Sequence, residues 1–212
     1  MKTTLDQHIK TAPEAMKEVL ESLPQFKETP SRIDAEREQR RFDAMNEAWI
    51  KMCPPLYRET DPSKIKSSRL EAVMSWNPRD GRNLWITGPT GTQKTRIAYL
   101  LLHKLMLKGW GVGSINAVEL AMKLSKPVWD GKEAELERLS KYSVLLIDDL
   151  GKEPNTQSIA QYFYLLIEKR YSNKKVNIMT SNNETRARLD EDTERPTYRR
   201  LQEGARIVET SE

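Results

Sequence analysis

The feature that most constrains the fold is a short run in which an apolar strand leads into a glycine-containing loop, followed by Lys-Thr and a helical pattern. The run reads Leu84-Trp85-Ile86-Thr87-Gly88-Pro89-Thr90-Gly91-Thr92-Gln93-Lys94-Thr95. This is the layout of a phosphate-binding loop, because glycines permit tight turns and the loop amides and helix start face an anion. Lys94 is placed to reach the β- and γ-phosphates, and Thr95 to hold Mg²⁺. The run therefore predicts that ATP or GTP contacts Gly88, Pro89, Thr90, Gly91, Thr92, Gln93, Lys94 and Thr95.

One position in this loop departs from the usual pattern. The pattern G-x-x-x-x-G-K-[ST] has glycine where this chain has Gln93. If the backbone there needs a glycine conformation, a side chain costs about 1 to 2 kcal/mol, roughly a tenfold loss of nucleotide affinity. The sequence leaves two outcomes open, which are weakened binding and lost binding. The loop taken alone is also compatible with an ordinary strand-turn-helix that contains glycines.

A second pattern supports the nucleotide interpretation. The run Ser143-Val144-Leu145-Leu146-Ile147-Asp148-Asp149-Leu150-Gly151 is a continuous apolar strand that ends in two carboxylates. Ligands bind beyond the carboxyl ends of the strands in open parallel sheets. We therefore expect Asp148 to hold Mg²⁺ through water and Asp149 to orient the attacking water. The alternative is a solvated turn after a buried strand.

Length and composition place the chain among single-domain proteins with an appendage. It has 212 residues, no apolar stretch long enough to span a membrane and no signal peptide, so we expect a cytoplasmic protein. One cysteine and two histidines exclude an intrachain disulfide and argue against a zinc cluster. The net charge of +4 arises from many charges of both signs, and it permits nucleic-acid binding without requiring it.

The pattern changes near residue 54. Residues 1–53 form a predicted helical arm for partner binding, with helices near 15–23 and 33–52, and residues 54–212 alternate strand and helix. The arm packs on its own domain or on a partner. The alternation predicts an α/β fold with a five-stranded parallel sheet between helices. The predicted strands lie near 83–88, 111–116, 144–148, 176–181 and 205–209, and the predicted helices near 94–108, 117–124, 132–141, 158–172 and 194–203.

These residues resemble the DnaC/IstB-like AAA+ ATPases, a family of bacterial and phage helicase loaders and transposition ATPases. The resemblance covers about residues 54 to 209 and implies a P-loop NTPase of the AAA+ type without a C-terminal lid domain. It rests on the two runs above and on Pro54-Pro55-Leu56-Tyr57-Arg58, Glu168-Lys169-Arg170-Tyr171, Thr180-Ser181-Asn182 and Arg199-Arg200-Leu201-Gln202-Glu203-Gly204.

The resemblance also implies roles for later residues. In the family, the fourth strand ends in a polar residue that senses the γ-phosphate or the attacking water, and this position maps onto Ser181 and Asn182. The alternative is that the amide at the strand end only caps the following turn. An arginine finger maps onto Arg200, with Arg199 a close second, and a surface salt bridge is the alternative. Asp149 stands where many AAA+ proteins have glutamate, and its shorter reach predicts slow turnover. The resemblance also implies, more weakly, a surface that contacts single-stranded DNA, and its candidate residues are Lys123, Lys126, Lys132 and Arg138. An ordinary charged helix face explains these residues equally well.

Taken together, the resemblance implies an ATP- and Mg²⁺-binding helicase loader that delivers a replicative DNA helicase to single-stranded DNA. Weak ATP hydrolysis would be coupled to self-association through the nucleotide sites, with no membrane involved. Two alternatives remain, which are an IstB-type transposition ATPase acting on duplex DNA and a non-hydrolysing P-loop adaptor. A small-molecule kinase leaves the Asp-Asp strand end and the arginine-bearing helix unexplained.

Overall fold

The computed structural model describes residues 32–125, 131–154, 156–183 and 196–210. The helix predicted near 15–23 lies outside them. The helices are α1 Arg32–Met52, α2 Pro55–Arg58, α3 Ser67–Met74, α4 Lys94–Leu107, α5 Ala117–Leu124, α6 Lys132–Lys141, α7 Gln157–Ser172 and α8 Pro196–Gln202. The strands are β1 Leu84–Thr87, β2 Val112–Asn116, β3 Val144–Asp148, β4 Val176–Ser181 and β5 Arg206–Glu209.

The five strands form one parallel sheet in the order β2-β3-β4-β1-β5. All residues of β1, β3 and β4 are buried. Burial on both faces explains the apolar runs of β1 and β3, whereas β4 also buries the polar residues Asn177, Thr180 and Ser181. Thr87 pairs with Ser181 and Ile147 with Met179, so the carboxyl ends of these three strands lie at one edge of the sheet. The loops that follow them therefore meet at that edge.

Helices cover both faces of the sheet. Alternate strand residues point to opposite sides, and each side has its own hydrophobic cluster. Leu146 and Ile178 pack with Leu101 of α4 on one face, whereas Leu145 and Met179 pack on the other face, the side of α5, α6 and α7. This arrangement confirms the predicted α/β fold. None of the described helices combines the length and apolar character needed to cross a bilayer.

The carboxyl end of α1 is part of the core. Trp49 is buried, stacks on His103 with ring centroids 4.4 Å apart, and meets Tyr99 edge-on at 6.3 Å. Cys53 is buried in the same cluster, whereas Ile50 remains 55% exposed. The end of the predicted arm is thus joined to α4, the helix that follows the glycine loop. The domain boundary near residue 54 stays a prediction.

A buried arginine joins α6, α7 and β4. Arg170 donates hydrogen bonds to Asn177 Oδ1 at 2.7 Å and to the carbonyls of Leu139, Tyr142 and Val176 at 2.9, 2.8 and 2.6 Å. Its burial lowers the pKa of the guanidinium to about 9. Two of the acceptors lie at the carboxyl end of α6, where a cation also meets the negative end of the helix dipole. This residue of the Glu168-Lys169-Arg170-Tyr171 motif therefore has a packing role in the fold.

Candidate functional site

The loop between β1 and α4 contains three residues with positive φ. They are Gly88 at 151°, Gly91 at 88° and Gln93 at 64°. Gln93 has left-handed backbone geometry, with ψ at 21°, directly before the first residue of α4. Glycine adopts this conformation freely, whereas a residue with a Cβ loses about 1 to 2 kcal/mol. The residue that departs from the motif therefore occupies a position where the backbone favours glycine.

The loop presents donors that suit an anion. Among the described residues, none accepts a backbone hydrogen bond from the N–H groups of residues 90–93. Lys94 Nζ folds back and donates to the carbonyl oxygens of Gly88 and Pro89, both at 2.7 Å. Burial lowers the pKa of Lys94, and attraction by Asp149 opposes that shift. The predicted phosphate residues thus come together around a lysine whose ammonium group is held by two neutral carbonyls.

Two predicted metal residues are in direct contact. Thr95 Oγ1 donates to Asp148 Oδ1 at 2.9 Å, and Asp148 is 6% exposed at the end of β3. Burial raises the pKa of the Asp148 carboxyl, and hydrogen bonds from Thr180 and Thr95 oppose the rise. A hydroxyl and a carboxylate oxygen beside a phosphate site are the hard ligands that Mg²⁺ takes together with substrate phosphates. These residues fit Mg²⁺ with ATP.

Asp149, the predicted water-orienting residue, lies beside this pair. Its φ is 58°, and its N–H donates to Thr180 Oγ1 at 2.9 Å. Its carboxylate accepts a hydrogen bond from Lys152 Nζ at 2.7 Å. The structure therefore places the Asp149 carboxylate next to Asp148 and in an ion pair with Lys152. Its catalytic role stays a prediction.

Thr180 is a site residue that the sequence analysis did not single out. Its hydroxyl donates to Asp148 Oδ1 at 2.5 Å and accepts from the Asp149 N–H. The parallel register pairs Ile147 with Met179 and so places the next residues, Asp148 and Thr180, on one face. The sequence does not give this register, so it carried no signal for Thr180. The motif position assigned to sensing is preceded by a residue that contacts Asp148 directly.

The two predicted sensor residues have different surroundings. Ser181 is buried and its hydroxyl accepts a hydrogen bond from the Trp85 indole at 2.8 Å. Asn182 follows β4 directly and is half-buried. Asn183 accepts a hydrogen bond from Thr87 Oγ1 at 3.1 Å. Ser181 therefore joins β4 to β1, and the sensing role predicted for Asn182 remains a prediction.

The two arginines at the end of α8 also differ. Arg200 forms an ion pair with Glu168 of α7, and its guanidinium lies 5.2 Å from the Tyr164 ring centre and 5.5 Å from that of Tyr171. Arg199 is exposed. The contacts of Arg200 are those of the salt-bridge alternative, since α8 packs against α7. A finger role for Arg200 requires that it leave Glu168.

The cations considered for single-stranded DNA are largely paired within the chain. Lys123 pairs with Glu119 at 2.9 Å and Glu135 at 3.4 Å. Arg138 contacts Glu135 at 2.7 Å, and Lys132 lies 5.1 Å from the Tyr162 ring centre. Lys126 lies outside the described residues. These contacts favour the charged-face alternative.

Aromatic residues form a wall beside the site. Tyr57, in the lead-in segment, stacks on Tyr99 of α4 with ring centroids 5.0 Å apart, and Arg96 lies 5.9 Å from the Tyr57 ring centre. A cavity of about 700 Å³ extends from this pair to Asp148. The cavity also contacts α1, β2, α5 and α6 through Met52, Asn116, Lys123 and Tyr142. Asp148 therefore borders this open space, and the residues that line the space do not belong to the glycine loop.

Most of the chain, including the glycine loop and Asp148, lies within a match to a known protein family. Residues 31–189 match the family model described as IstB-like ATP binding protein. An ATP-binding protein of insertion sequence IS232 from Bacillus thuringiensis subsp. berliner is 28% identical over 125 residues, 58% of this chain and 50% of that protein. The ATP-binding protein of insertion sequence IS21 from Pseudomonas aeruginosa is 32% identical over 101 residues, 47% of this chain and 38% of that protein. This chain thus spans half or less of the length of these relatives.

Solved structures give the same fold. The DnaC helicase loader superposes with a TM-score of 0.53 at 23% identity, covering 68% of this chain and 87% of that one. DnaI superposes with a TM-score of 0.62 at 18% identity, covering 75% of this chain and 95% of that one. At these identities the likeness shows the fold alone.

Proposed function

The chain belongs to the family of IstB-like ATP-binding proteins. From its likeness in fold to the DnaC helicase loader, we propose that it is a helicase loader, which uses ATP to place a replicative DNA helicase on single-stranded DNA. One observation carries the proposal. The phosphate and metal residues Lys94, Thr95 and Asp148 are assembled, yet Gln93 adds backbone strain where the nucleotide binds. Strain in the binding loop suits a switch that binds and releases nucleotide more than an enzyme built for fast turnover.

In this proposal each residue has a defined task. Lys94 leaves the loop carbonyls for the phosphates, and Thr95 and Asp148 hold Mg²⁺. Asp149 orients water, and Asn182 senses the γ-phosphate. Bound Mg²⁺-ATP supplies a γ-phosphoryl group and the charge that organises the loop.

Subunit contact completes the switch. Arg200, or the exposed Arg199, reaches the nucleotide of a neighbouring copy and so links hydrolysis to assembly. In the arm, the described side chains from residue 34 to residue 48 are exposed or half-buried, which leaves that stretch of α1 accessible to a helicase. Slow hydrolysis then times the release of the partner.

Transposition is the second candidate function. The observation that favours it is that the relatives named above are ATP-binding proteins of insertion sequences. In that case the protein assembles on duplex DNA and recruits a transposase. The two functions share the nucleotide site and differ in the DNA form and partner.

The deciding experiment measures DNA binding by fluorescence anisotropy on matched single-stranded and duplex oligonucleotides, with and without Mg²⁺-ATP. We expect single strands to bind at least about tenfold more tightly with Mg²⁺-ATP, and Lys94→Ala to remove that dependence. Lys108→Ala, an exposed lysine just after α4, is the matched control and keeps it. A pull-down with the replicative helicase tests the partner.

Each other result has a definite meaning. A preference for duplex favours transposition and overturns helicase loading. Absence of binding to either DNA form, together with failure to retain helicase, supports the adaptor alternative. Nucleotide dependence that survives Lys94→Ala contradicts the assigned phosphate site.

A further inference from the structure

The residue that follows β5 occupies the space beside the first glycine of the loop. An ideal Cβ on Gly88 would lie 2.1 Å from Thr210 Oγ1 and 2.3 Å from the Thr210 carbonyl oxygen. The φ of Gly88 is 151°, which L side chains rarely adopt. Gly88 is therefore required both for its backbone geometry and because Thr210 fills the site of a side chain.

Thr210 is hydrogen-bonded to the base of the loop. Its N–H donates to Thr87 O at 2.7 Å, and its hydroxyl lies 3.0 Å from that carbonyl and 2.6 Å from Thr92 Oγ1. Thr92 Oγ1 in turn lies 2.9 Å from Pro89 O. Thr87, Thr92 and Thr210 are each no more than 3% exposed, so water cannot replace these bonds.

Two hydroxyl protons serve the three hydroxyl contacts. Thr87 O already receives the Thr210 N–H, so one arrangement that leaves every group paired has Thr210 donating to Thr92 and Thr92 donating to Pro89 O. Pro89 O is also one of the two carbonyls that hold Lys94. In this arrangement the Thr92 hydroxyl keeps the Pro89 carbonyl paired when Lys94 turns to a phosphate.

We propose that Thr210 is a positioning residue for the phosphate-binding loop. Through Thr92, Thr210 holds Gly88 and Pro89, before nucleotide arrives, in the geometry that nucleotide binding requires. Thr210 lies 118 residues from Thr92 along the chain and in no nucleotide-binding motif. The inference rests on ATP binding by this site and is independent of which DNA or partner the protein serves.

The test compares Thr210→Val, which removes the hydroxyl at constant shape, with Thr210→Ser, which retains it. Ser140→Ala is the control, because Ser140 is 7% exposed and its hydroxyl donates to Glu137 O at 2.9 Å within α6. Affinity for a fluorescent ATP analogue with Mg²⁺ is measured without DNA, in the native chain and in a Gln93→Gly background. Amide resonances of Gly88 and Gly91 are followed without nucleotide.

We expect about tenfold weaker nucleotide binding in Thr210→Val, within about threefold of native in Thr210→Ser, and native affinity in Ser140→Ala. The Gly88 and Gly91 resonances shift or broaden in Thr210→Val alone. Native affinity in Thr210→Val, or equal losses in the valine and serine variants, overturns the proposal. Absence of nucleotide binding in both backgrounds also overturns it. Because no DNA is present, failure of helicase loading leaves this result unaffected.

Discussion

At the scale of single residues, two residues of the predicted nucleotide site other than glycine have a left-handed backbone conformation. Asp149 has φ of 58° and Gln93 has φ of 64°. Aspartate tolerates this region better than glutamine does, because its short polar side chain bonds locally. The strain at Asp149 is therefore modest and its N–H is held by Thr180. Gln93 therefore has the larger backbone strain, and it adjoins the predicted phosphate position.

We predict that Gln93→Gly tightens nucleotide binding about tenfold, because it removes about 1 to 2 kcal/mol of backbone strain beside the phosphates. Titration with a fluorescent ATP analogue and Mg²⁺ measures the change. Lys174→Gly is a matched control, since Lys174 also has positive φ, at 53°, but lies in the turn between α7 and β4. The control relieves strain without changing affinity. Unchanged affinity in Gln93→Gly means that the glutamine side chain contributes compensating contacts.

At the scale of elements, β1 and β3 were predictable because each is buried on both faces and contains an apolar run. β3 and β4 match the predicted ranges 144–148 and 176–181. The Thr210–Thr92 contact was not predictable, since it requires knowing that β5 pairs with β1, and periodicity carries no strand order. The pairing of Arg200 with Glu168 likewise depends on how α8 packs on α7.

The junction of α1 and α4 has a predicted pH dependence. Burial lowers the pKa of His103 to about 4, where it stacks on Trp49. In the folded state His103 stays neutral until the pH nears 4, whereas in the unfolded state it titrates near its ordinary pKa. Below about pH 6.5 the unfolded chain therefore binds more protons than the folded chain does. The stability contributed by neutral His103 is therefore complete above that pH and is lost as pH falls towards 4.

We predict that this residue accounts for about 1 to 3 kcal/mol of the loss in unfolding free energy between about pH 6.5 and 4. Urea denaturation across that range measures it. His103→Phe keeps an aromatic ring against Trp49, and His103→Gln keeps a neutral polar group, and both remove the titration. If both variants still lose the same unfolding free energy as the pH falls, the acid sensitivity belongs to other groups and the prediction is wrong.

At the scale of the whole molecule, the two charged side chains that are buried among the described residues have different surroundings. Arg170 meets four neutral acceptors and joins α6, α7 and β4. Asp148 receives two hydroxyl donors, and burial still raises its pKa above the usual value. A carboxylate kept in such a place costs stability, as expected if Asp148 has the metal-binding role proposed for it.

We predict that Asp148→Asn raises the melting temperature of the nucleotide-free protein, because the amide oxygen still accepts from Thr95 and Thr180 while the buried charge is removed. The gain is present at neutral pH and disappears as pH falls below the ordinary aspartate pKa, since a raised folded pKa favours the protonated native state there.

The same variant separates stability from binding. Mg²⁺-ATP at about 100 times its Kd stabilises a binding-competent chain by about 2.7 kcal/mol, or roughly 5 to 11 °C in melting temperature. We expect this shift in the native chain and its loss in Asp148→Asn. The control Asp80→Asn, at an exposed position, changes neither the melting temperature of the nucleotide-free protein nor the shift caused by Mg²⁺-ATP. A lower melting temperature for nucleotide-free Asp148→Asn would show that the ionised carboxylate stabilises the sheet edge, and the stability cost assigned to it would then be wrong.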